Sequence, residues 1–149
     1  ETVLDLVGFF EDEYKEQVKE LEKHSIAHFY GFQSDPRPFY IEADCVVLPS
    51  YHEGMSNVLL EAAATGRPVI TSNIPGCRES VENGKSGLLV EVKNKEMLYD
   101  AMKEMLHCSR EEREQMGQAG REKIEREFRK EVVVEKTVQS LREDEKRDF

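Results

Sequence analysis

At 149 residues, 38% hydrophobic and 35% charged, the chain is long enough to bury one core without disulfide or metal staples and reads as a soluble globular domain. Its net charge of −10 is concentrated in residues 1–108, where nineteen acidic side chains stand against ten basic ones, so a polyanion such as DNA is excluded as a partner. No apolar run approaches 18 residues and no signal-peptide pattern is read, so neither a membrane span nor export is expected.

In chain order, Thr2 to Val7 reads as a strand closed by Gly8, and Glu11 to Lys23 as an amphipathic helix with Tyr14, Val18 and Leu21 at helical spacing. Ile26 to Tyr30 is the next strand, turned by Gly31-Phe32-Gln33, and Pro36 to Ala43 is a short helix or turn carrying Phe39, Tyr40 and Ile41. Cys45 to Leu48 has the composition of a buried strand, and Pro49 and Gly54 then break regular structure. Ser56 or Asn57 is placed to cap a helix over Val58 to Ala64, which Gly66 stops. Strand, glycine turn and helix N-terminus together hold anions, because unpaired N–H groups and the positive end of the helix dipole face the turn.

Pro68 to Thr71 and Gly87 to Val90 are further strands, with a short helix over Arg78 to Asn83 between them and a turn at Asn83-Gly84. From Lys95 the chain turns helical, with an apolar stripe of Met97, Leu98, Ala101, Met102, Met105 and Leu106 that reads as core. Ser109 to Glu112 is a capping box opening a polar helix to about Phe128, and Val132 to Leu141 marks a last helix. Residues 142–149 are expected to fray. The fold class is therefore α/β, with right-handed βαβ units and a Rossmann-like parallel β-sheet flanked by helices. One domain is expected over 1–149, with the sheet core in 1–92 and a helical C-terminal extension in 93–149. Cys45, Cys77 and Cys108 are isolated from one another, which argues against zinc and for a reducing, cytoplasmic compartment.

Two glutamates frame the 49–66 segment. Glu61 lies one helical turn beyond Asn57 among apolar neighbours, so its carboxylate can lean back toward the turn and accept hydrogen bonds from paired hydroxyls such as a ribose diol. A solvated helix glutamate is the plain alternative. The ordered set Leu48-Pro49-Ser50, Glu53-Gly54, Glu61-Ala62 and Gly66-Arg67-Pro68-Val69-Ile70 continues through Gly76, Glu79, Asn83-Gly84 and Gly87-Leu88-Leu89-Val90. It resembles the C-terminal donor-binding domain of retaining GT-B glycosyltransferases of family 4 (group 1), of the capsular polysaccharide type.

That resemblance covers roughly residues 2–130. It implies a glycosyltransferase parent that moves a sugar from a UDP-sugar to a glycan or lipid-linked acceptor in polysaccharide biosynthesis. Glu53 would be the catalytic-site residue, on the donor sugar's hydroxyls, and Glu61 would take the ribose. The turn of Gly54, Met55, Ser56, Asn57 and Val58 would hold sugar and diphosphate, and Gly31 and Phe32 would offer main chain to the edge of uracil, with Gln33 and Ser34 as lesser candidates. His52 is near enough to Glu53 to touch a donor, whereas His28 reads as packing and His107 as surface. The resemblance implies no metal, no cofactor and no protein nucleophile.

The resemblance also implies missing parts. The family's first C-domain strand, its loop with an arginine and a lysine, and the N-terminal acceptor domain are absent, and Arg67 and Arg78 do not match those cations. A fragment inactive on its own is expected, from a parent peripheral at the inner membrane face. To repair the lost strand, residues 2–7 are expected to pair directly with 45–48 in one five-stranded sheet, with Val3, Leu4, Leu6 and Val7 buried; a strand from a second copy is the other repair. Two further readings are the related epimerase branch and a nucleotide-free flavodoxin-like regulatory module. The latter wants acids at strand ends, where Asp5 and Asp44 do not lie.

Overall fold

The structure, a computed structural model, describes residues 2–9 and 12–145. The expected helix start at Glu11 and the terminal residues 146–149 lie outside the described residues. The chain divides into two compact units, Glu1–Phe39 and Tyr40–Phe149.

In the first unit, β1 (Leu4–Val7) pairs in parallel with β2 (Ala27–Gly31), and α1 (Lys15–Lys23), entered through a 3-10 turn at Asp12–Tyr14, is the crossover. The ladder is extended at both ends by Leu4 N–H to Ile26 C=O at 3.0 Å and Gly8 N–H to Gly31 C=O at 2.9 Å. α1 stops where Ser25 takes a positive φ of 56°. The Ile26 N–H then bonds the Leu21 carbonyl, satisfying one of the helix's orphan acceptors. α2 (Arg37–Glu42) runs across the unit boundary.

The second unit carries a parallel sheet in the order β3 (Val46–Leu48), β4 (Val69–Ser72), β5 (Gly87–Val90), joined through α3 (Asn57–Ala64) and a 3-10 turn at Arg78–Ser80. All four residues of β4 are buried, as the central strand of a sheet covered on both faces requires. Val69 points into one cluster with Leu59, Ala62, Cys77 and Val81, while Ile70 points into another with Leu88, Ala101 and Met105. α3 and α4 (Lys95–His107) supply those two layers. Leu59 is fully buried, which contributes about 1.5–3 kcal/mol. α5 (Arg110–Glu127) opens with the expected capping box of Ser109 and Glu112, and α6 (Lys130–Glu145) ends the described chain. Parallel strands flanked by helices are thus what forms.

The single five-stranded sheet is not. Among the described residues β1 pairs with β2 and β3 with β4, and no ladder joins β1 to β3, so the strands lie in two sheets. Val3, Leu4 and Val7 are exposed rather than buried. Apolar composition marks a segment as wanting burial and extension, but it does not say which backbone edge will bond which, and ladder bonds depend on where tertiary structure brings the edges. His28 also departs from expectation: it is exposed, 3.7 Å from the Asp5 carboxylate and edge-on to Tyr30, instead of packed in a core.

Candidate functional site

β3 ends at Leu48, whose carbonyl accepts the Thr71 hydroxyl at 2.8 Å, so the start of the following turn is tied to the neighbouring strand. Ser50 Oγ donates to Glu53 Oε1 at 2.8 Å, which fixes the Glu53 carboxylate, half-buried inside the turn. Tyr51, His52 and Met55 are exposed around it. Ser56 is then buried and begins α3 as its N-cap residue.

The cap is correct in position but not in bonding. The Ser56 side chain makes no capping hydrogen bond. Its backbone N–H instead donates to the Gly76 carbonyl at 3.0 Å. The N–H groups of the first helical turn have no intrahelical acceptor. At the C-terminal end of a parallel strand they form an anion-receptive edge.

A second loop, after β4, braces this turn. Gly76 is buried with φ +85°, and a Cβ there would collide with the Gly54 carbonyl and stand 2.7 Å from that of Glu53. Only glycine permits so close an approach of two backbones. The Gly76 N–H donates to Glu79 Oε2 at 2.8 Å, so Glu79 holds the residue whose carbonyl accepts from the Ser56 N–H. Farther along the same sheet edge, Arg78 Nη1 donates to Asn73 Oδ1 at 3.4 Å and Asn73 Nδ2 to Glu91 Oε1 at 3.2 Å. Lys93, just past β5, lies over the Tyr51 ring at 5.7 Å.

Glu61 sits on the second turn of α3, exposed, beside the buried Ala62 and Ala63. One of its oxygens, Oε2, accepts the Tyr40 hydroxyl at 3.2 Å. Tyr40 is 7% exposed, and burial, reinforced by the Glu61 charge, pushes its pKa up to about 12, so the hydroxyl stays a donor at any ordinary pH.

The structure therefore brings Glu53, Gly54, Met55, Ser56, Asn57, Val58 and Glu61 onto one strand–turn–helix segment of the second unit. Gly31 and Phe32 belong to the first unit, where Gly31 ends β2 and Phe32 stacks on Phe9 at 5.1 Å between ring centroids. Arg67 follows the C-terminus of α3, the opposite end of that helix from the turn, and Arg78 is engaged with Asn73 and Glu79. Cys45 packs with the second core cluster, its thiol raised to about 12 by burial.

Tyr40 has no local pattern that marks its partner, and Glu79, although part of the ordered motif set, has no local signal for its bond to the Gly76 N–H. Tyr40 stands 21 residues before Glu61, and its partner is set by packing rather than by periodicity. Among the described residues no group of three His, Cys, Asp or Glu side chains is gathered as for a metal ion, and no helix is long and apolar enough to cross a membrane.

Known proteins resemble this chain in sequence and in fold. The capsular polysaccharide biosynthesis glycosyltransferase CapM of Staphylococcus aureus is 33% identical over 102 residues, covering 68% of this chain and 27% of CapM. The lipopolysaccharide core biosynthesis glycosyltransferase LpsE of Rhizobium meliloti is 30% identical over 113 residues, or 76% of this chain and 33% of LpsE. The chain thus spans about a third or less of these relatives. Among solved structures, sucrose-phosphate synthase from Thermosynechococcus elongatus superposes with a TM-score of 0.79 at 28% identity, over 94% of this chain and 38% of that one. Anabaena HepE in complex with UDP gives 0.78 at 21% identity, over 95% and 41%, a likeness of fold. The model of the family described as glycosyl transferases group 1 matches residues 1–123, and the chain belongs to that family.

Proposed function

We propose that this chain is the donor-binding part of a retaining glycosyltransferase that takes its sugar from a UDP-sugar and serves polysaccharide assembly. The observation that carries the reading is the braced turn: Glu53 fixed by Ser50, the α3 N-terminus left uncapped by Ser56, and Glu61 exposed one turn along the same helix. The named activities of CapM and LpsE, and the UDP and UDP-glucose complexes of HepE, are consistent with it.

In this reading the N–H groups from Met55 to Val58 take the diphosphate, neutralising charge through the helix dipole where the chain itself is acidic. Glu53 accepts from hydroxyls of the sugar, and Glu61 accepts from the ribose. The acceptor, a glycan or a lipid-linked glycan, attacks as the diphosphate leaves, and donors aimed at the leaving group lower the barrier most where charge develops. No metal is assigned to the step. The acceptor is held by a further domain of the longer protein.

The test is a titration of UDP against the chain and two variants. Glu61→Ala should weaken binding by about 1.5–3 kcal/mol, the worth of hydrogen bonds to a charged group. Glu53→Ala should leave UDP binding nearly intact, because UDP lacks the sugar. Equal loss in both, or in neither, would sink the assignment. EDTA should change nothing, and a metal requirement for binding would contradict the metal-free reading.

A further inference from the structure

We propose that Tyr40 is the positioning residue for Glu61 and that the pair makes the site selective for ribonucleotides over nucleotides lacking the ribose hydroxyls. This rests on the donor-binding reading above and assigns a role to a residue outside the turn. The geometry is specific. The Tyr40 ring is buried among Leu59, Ala62 and Val69, so its position is set by the core and not by solvent. Its hydroxyl donates to Glu61 Oε2 at 3.2 Å across 21 residues of sequence.

An exposed glutamate on a helix samples several rotamers, and each rotamer lost on binding costs affinity. A carboxylate tethered through one oxygen has its plane and its second oxygen already directed. Oε1 and the remaining lone pair of Oε2 are then free to accept from a vicinal diol, which presents two hydroxyl donors at a fixed separation. Because the tyrosine hydroxyl remains protonated, its O–H is available to donate to Glu61 throughout the ordinary pH range.

Glu61 is the binding residue; Tyr40 acts through it. Removing the hydroxyl alone should therefore reduce recognition of the diol while leaving the rest of the nucleotide's contacts untouched. A purely structural role would weaken all ligands equally, through the core.

The experiment measures the affinities of UDP and of 2′,3′-dideoxy-UDP for the chain, for Tyr40→Phe, for Glu61→Ala and for the double variant. Wild type should prefer UDP, and Tyr40→Phe should cut that preference about fivefold, the size of one modest hydrogen bond, with dideoxy-UDP affinity unchanged. In the Glu61→Ala background the tyrosine change should add nothing further. Tyr40→Phe keeps the ring that fills the core, and a urea midpoint on the same samples shows whether the variant is folded. If it is not, Tyr40→Leu, which is apolar, smaller than the ring it replaces and lacks any donor, supplies the second test, with the preference again expected to fall. A preference kept intact in folded Tyr40 variants overturns the role of Tyr40 alone. A wild type that binds UDP and dideoxy-UDP alike overturns the ribose assignment of Glu61 and this proposal with it.

Discussion

Gly76 shows how much one residue carries in this molecule. It is buried, sits at φ +85°, and leaves no room for a Cβ beside the carbonyls of Glu53 and Gly54. Its carbonyl receives the Ser56 N–H, and its own N–H is held by Glu79. Gly76→Ala is expected to lower stability by about 2–4 kcal/mol, combining left-handed strain with a steric clash and a disturbed buried hydrogen bond. The shift of the urea midpoint measures it. A midpoint unchanged within error would mean that the two loops are not braced as described. Glu79→Gln, which keeps an acceptor oxygen, should retain more of that stability than Glu79→Ala.

At the scale of the element, α5 is the clearest case of local chemistry. Ser109 Oγ accepts the Glu112 N–H at 3.2 Å, while Glu112 Oε2 accepts the Ser109 N–H at 2.6 Å. Ser109→Ala should cost about 1 kcal/mol, read from thermal or urea unfolding. The Ser109 backbone N–H, with its side chain second, holds the Glu112 carboxyl below its ordinary value of 4.5. A depressed carboxyl stabilises the fold above its unfolded pKa, and that stability is lost as pH falls through the folded value. Stability should therefore decline with acid below about pH 4.5, and Glu112→Gln should flatten part of that slope. An identical slope in the variant would remove Glu112 from the account. Farther along, α5 meets the Gly66 carbonyl at Gly117, where any Cβ would collide, so this polar helix is seated by a missing side chain as much as by apolar ones.

For the whole molecule, the division into two units has a measurable consequence. β4 is bonded on both edges and buried on both faces, whereas β1, among the described residues, has one strand partner and exposed Val3, Leu4 and Val7. Buried, doubly paired amides open only with the global fold, and thinly covered ones open locally. Native-state hydrogen exchange should find the amides of β4 slowest and those of β1 faster. Equal protection in both strands would show that the two units unfold as one.

Much of this protein is legible in its sequence. The strand, turn and helix from Cys45 to Gly66, the capping box at Ser109 and the core side of α4 at Leu98, Ala101, Met102 and Met105 follow from short-range patterning written in the sequence, whereas Met97 and Leu106, expected in the same stripe, are exposed. The order of its matched motifs likewise carried the family. Tertiary structure alone decided that Tyr40 meets Glu61, that Gly54 and Gly76 lie back to back, and that the strands form two sheets. The physical reason is common to all three. These contacts join residues 18 or more positions apart, where chain connectivity imposes no geometry, and partners are chosen by the burial and hydrogen bonding of the whole fold.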